Sequence, residues 1–109
     1  MAKTFTIEHE GIEYTLEFTR KSVEAMERQG FVISDIGDKP MSTLPALFAG
    51  AFLAHHKFVK KEIIDAIFAG LPNKGEFIPK LAEMYAEPLE ALMDEPEESE
   101  GNVTWVANW

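Results

Sequence analysis

His55 and His56 stand side by side at the end of an apolar stretch, while His9 lies far from them in the chain. Imidazole is the commonest metal ligand and the usual proton carrier near neutral pH. On a helix, however, neighbouring residues point roughly 100° apart, and two ligands for one metal want the i, i+4 spacing. The pair is therefore read as structural, a partly positive imidazole being favoured at a helix C-terminus. Without cysteine the chain has no disulfide, thiolate nucleophile or cysteine-based zinc site. Carboxylates are plentiful, but acid–base catalysis needs two of them in one pocket with separated pKa values. Here they fall on the polar faces of periodic segments or in an acidic run over residues 94–100.

Ser22, Ser34, Ser42 and Ser99 lack the surroundings of a nucleophile elbow. The glycines at 30, 37, 50, 70, 75 and 101 are scattered and build no phosphate-cradling loop. Asn102-Val103-Thr104 fits the glycosylation pattern, yet MAKTFTIEHE has neither the apolar core nor the cleavage site of an export signal. These residues predict no enzyme, no metal and no cofactor.

Nineteen acidic against ten basic residues give a net charge of -9. Phosphate backbones repel such a chain, so nucleic acid is not an expected partner. The densest basic group, Lys57, Lys60 and Lys61, is followed by Glu62 and reads as a solvated helix start. No apolar run approaches the ~20 residues that span a bilayer. The expectation is a cytoplasmic protein with no membrane partner.

Residues 4–18 alternate as a β-hairpin, with Ile12, Tyr14, Leu16 and Phe18 on one face and Gly11 in the loop. Thr19 can cap a helix over about 20–29, with Val23 and Met26 inward, and Gly30 is placed to end it. Residues 31–40 form a connector that admits a short strand at 31–33. Ser42 opens the most apolar helix, about 42–56, with Leu47, Phe48 and Phe52 in its stripe and Gly50 allowing a close approach. A helix over about 60–69 turns Ile63, Ile64, Ile67 and Phe68 inward. Asn73 and Glu76 have capping-box spacing before a helix over about 75–93. Its expected face is Ile78, Leu81, Tyr85, Leu89 and Leu92, with Pro79 in the first turn and Pro88 inside. The fold class is α+β: an N-terminal antiparallel hairpin packed on a small, mainly helical bundle. Residues 1–93 form one domain, and 94–109 an acidic linker with an apolar C-terminal tail.

Two sets of residues suit partner binding. Met84 and Met93 on the last helix fit an adaptable apolar groove, although methionine at helical spacing is more often core. Val103, Trp105, Val106 and Trp109 follow the acidic run, and tryptophan often dominates interface energy. They are expected to dock on this domain, on a neighbouring copy or on another protein.

The runs EYTLEFTRKSVEAMERQGF, KPMSTLPALFAGAFLAHH, LPNKGEFIPKLAEMYAEPLEALMDEPEE and GNVTWVANW resemble small proteins of tailed phages and prophages of Gram-positive bacteria, the tail assembly chaperones. The resemblance covers nearly the whole chain and assigns no binding residue. It implies a non-enzymatic factor in the bacterial host cytoplasm that binds and solubilises the tape measure protein, helps recruit tail tube protein, and is absent from the mature virion. Self-association is compatible with an apolar client groove. Other readings are a structural tail or head–tail joining subunit retained in the virion, and an acidic inhibitor or antitoxin-like binding protein.

Overall fold

The computed structural model describes residues 3–93 and 106–109. Strands β1 (Phe5–His9) and β2 (Ile12–Leu16) pair antiparallel, Phe5 opposite Leu16 and His9 opposite Ile12. That register leaves a two-residue loop, Glu10-Gly11, and both residues have positive φ, 53° and 78°. A two-residue hairpin loop of this hand needs two such residues in succession, for which glycine and asparagine are suited and glutamate is not. Glu10→Asn should therefore stabilise the protein by about 0.5–1 kcal/mol, read as an upward shift of the urea midpoint at unchanged slope; a shift downward would contradict the assignment. Tyr14, Leu16 and Phe18 are buried as the alternation requires. Ile12 is not: at the loop end it lies beyond the cover of the helices and is 55% exposed.

Helix α1 (Arg20–Arg28) is set by local chemistry at both ends. The Ser22 N–H donates to Thr19 Oγ1 at 3.1 Å, and the Thr19 N–H donates to Ser22 Oγ at 2.8 Å, a reciprocal cap. At the other end Gly30 has φ 93°, its N–H bonds the Glu27 carbonyl, and the Phe31 N–H bonds the Met26 carbonyl. This is the Schellman arrangement, in which glycine relieves the left-handed residue. The connector then makes a 3₁₀ turn, Ile33–Ile36, and not a strand at 31–33. With the sheet limited to two strands, the backbone satisfies itself locally through Asp35 to Val32 and Lys39 to Asp35.

Three helices complete the bundle: α2 (Pro40–Gly50), α3 (Lys61–Gly70) and α4 (Lys74–Met93). α2 starts earlier than Ser42 because Pro40 occupies its first turn, where a missing N–H is harmless. It also stops six residues short of 56. Asn73 does not complete a capping box: its φ is 53°, and its side-chain amide donates to the Glu76 carboxylate at 2.6 Å, so the two side chains engage each other. Pro79 lies in the second turn of α4, and the helix continues through Pro88.

Phe48 is the centre of the core, fully buried, with ring centroids of Phe52, Phe68 and Phe77 at 5.2, 5.1 and 5.9 Å. It joins the end of α2 to α3 and α4. Gly50 admits Met26 so closely that a Cβ would overlap its sulfur and terminal methyl, which docks α1 onto α2. Ile64 and Ile67 face inward as expected, whereas Ile63 is turned outward. The chain start is tied to α4: the Lys3 N–H reaches both carboxylate oxygens of Glu87, and its ammonium pairs with Glu83 at 3.1 Å. Tyr85 packs edge-on to Phe18 and Phe31, and burial, aided by the negative charge of Glu27, raises its phenol pKa.

Candidate interaction surface

After Gly50 the helix is replaced by turns, residues 51–55, held mostly by i→i−3 bonds. The cause is the outer edge of the hairpin. The Glu17 N–H donates to the Ala51 carbonyl at 3.0 Å, and the Thr15 N–H donates to His56 Nε2 at 2.9 Å. An unpaired strand N–H taken from water would be costly, so the chain leaves the helical ladder to supply two acceptors. His56 accepts only through a lone pair on Nε2, which assigns its proton to Nδ1. Its ring also lies edge-on to Tyr14, with centroids 5.3 Å apart. His55 is engaged separately, its Nε2 at 2.7 Å from Glu17 Oε1. The two rings thus serve different partners, and neither is at a helix end as expected from the sequence.

The outward face of α2 forms a ridge between two open clefts. One, of about 480 Å³, is walled by Met26, Phe31, Val32, Ala46 and Leu53. The other, of about 650 Å³, is walled by Met41, Pro45, Ala49, Ile64 and Phe68. Met41 is 91% exposed at the second. Toward the end of α4, Leu89 and Leu92 are left at 63% and 50% exposure. The apolar period of α4 is unbroken there, but among the described residues only the start of α1, at Thr19 and Arg20, comes beside it.

Met84 and Met93, alike in type and on one helix, have opposite fates. Met84 is a core residue at 2% exposure and offers a partner no surface; Met93 is 78% exposed beside Leu89 and Leu92. Val106 and Trp109 are exposed at 78% and 102%. Val103 and Trp105 lie outside the described residues. Sequence alone did not single out Leu89, Leu92, Met41 and Phe58 as surface residues; the first two stand in it only as part of the apolar face of the last helix.

Residues 1–109, the whole chain, match the family described as "Domain of unknown function (DUF5055)". The chain belongs to the DUF5055 family. No curated protein and no solved structure matches it. Among the described residues of this DUF5055 chain, no three His, Asp or Glu side chains are grouped to hold a metal ion. No helix among them is long and apolar enough to cross a membrane. What the surface does offer is apolar side chains in clefts and along one helix end, framed by acidic residues.

Proposed function

We propose that the protein is a non-enzymatic tail assembly chaperone, working in the cytoplasm of a bacterial host, that binds and solubilises the tape measure protein and helps recruit tail tube protein around it. The observation that carries this reading is the apolar strip Leu89, Leu92 and Met93, left uncovered at the end of α4 on a chain of net charge -9. Contiguous apolar surface rimmed by polar residues marks an interaction site. A client helix can lay an apolar face along such a strip while the charge keeps the complex dispersed. The resemblance of the chain's segments to tail assembly chaperones supplies the identity of that client.

Coexpression with the tape measure protein tests the proposal. The soluble yield of the client should rise severalfold, and the two should coelute on gel filtration. A triple variant, Leu89→Ser, Leu92→Ser and Met93→Ser, should abolish both effects and leave the thermal midpoint within a few degrees, because these side chains support no core. Unchanged client solubility with no complex would overturn the reading. Recovery of the protein from purified virions by mass spectrometry would show it to be a retained structural subunit.

A further inference from the structure

A third cleft, of about 930 Å³, opens between the first turns of α1 and residues 53–59. Ala25, Leu53 and Val59 contribute its apolar wall, and Phe58, 89% exposed, stands at its edge. Lys21 and Lys57 line it too, and Lys60 and Lys61 follow at the start of α3. Among the described residues none of these four lysines makes a salt bridge. Of the acidic residues close by, Glu17 is committed to His55 and Glu24 to Arg20 and Arg28, while Glu62 follows Lys61 at the start of α3. In a molecule of net charge -9, this is an apolar cleft with a basic border.

The chain carries a segment that matches it. Five of the seven residues 94–100 are acidic, and Trp105, Val106 and Trp109 follow. Val106 and Trp109 are exposed, so these two side chains are not seated on their own domain. The helix from which it departs ends next to the cleft: Leu92 shares a smaller hollow with Thr19 and Arg20, and Thr19 borders the larger one as well.

We propose that the C-terminal segment of a second copy occupies this cleft, its indoles against Leu53, Phe58 and Val59 and its acidic run across Lys21, Lys57, Lys60 and Lys61. Because each segment leaves its domain beside that domain's own cleft, the exchange is reciprocal about a two-fold axis and closes as a dimer. The nine residues 94–102 can extend to about 30 Å, enough to cross such an axis. This inference needs only the chain itself and stands or falls apart from the client proposed above.

Sedimentation equilibrium of the full chain, together with tryptophan emission, tests it. Trp105 and Trp109 are the only tryptophans, so emission reports on this segment alone. Raising the protein concentration should double the mass and shift emission to the blue in one transition. Raising salt to about 0.5 M should weaken the association severalfold through screening. The paired variant Lys57→Glu, Lys61→Glu and the single variant Trp109→Ser should each weaken it at least tenfold with circular dichroism unchanged. A monomer with water-like emission at every concentration would overturn the proposal. So would blue-shifted emission independent of concentration, which would place the segment on its own domain, or a dimer that neither variant weakens.

Discussion

Truncating Phe48 to alanine should cost about 3–5 kcal/mol, the range for a large aromatic removed from a core that cannot collapse around the gap. The ring is fully buried and touches three other rings from three directions, Phe52, Phe68 and Phe77. No single neighbour can fill the space without abandoning another contact. For a domain of this size each kcal/mol moves the midpoint by roughly 4–8 °C. The variant should thus melt some tens of degrees lower, or populate the unfolded state at ambient temperature, since total stabilities are of order 5–15 kcal/mol. Phe48→Leu keeps most of the volume and should lose much less. A Phe48→Ala loss below about 1.5 kcal/mol by urea denaturation, still cooperative, would show that the three helices do not share this centre.

His56→Ala should be the most damaging change among the polar residues, at about 1–3 kcal/mol, because it leaves the part-buried Thr15 N–H without an acceptor. The edge contact with Tyr14 goes with it. Glutamine offers a carbonyl oxygen at similar reach, so His56→Gln should recover part of the loss, whereas His56→Lys, with no acceptor, should not. Hydrogen exchange of the Thr15 amide separates this role from simple packing. It should quicken in the alanine and lysine variants ahead of the core amides, and equal protection in all four proteins would refute the assignment.

How much of this was legible beforehand depends on whether the cause was local. The hairpin period, the Thr19 cap and the Gly30 ending each involve residues within a few positions of one another, and all three stand as read. The stop of α2 at Gly50 has a distant cause, the N–H groups of Thr15 and Glu17, which no pattern within residues 42–56 encodes. The histidines were read as helix-end residues for the same reason. In α4 the period identified the right face, Leu81 through Leu92, but period says nothing about how far a partner element extends. Leu89 and Leu92 are therefore in phase with the core and outside it. The two methionines show the same limit: identical chemistry, one within the core and the other exposed.

The pair of acceptors supplied by Ala51 and His56 makes the sheet one-sided in its capacity to grow. The outward N–H groups of Thr15 on β2 and of Glu17 just beyond it are already taken, leaving that of Glu13 near the loop, whereas no backbone bond among the described residues engages the outward N–H groups of Thr6 and Glu8 on β1. A third strand, whether from a partner or from misassembly at high concentration, therefore finds its longer open edge alongside β1. Removing the His56 acceptor would open the other side as well, giving each molecule two adhesive edges and making a chain terminator into a link that polymerises.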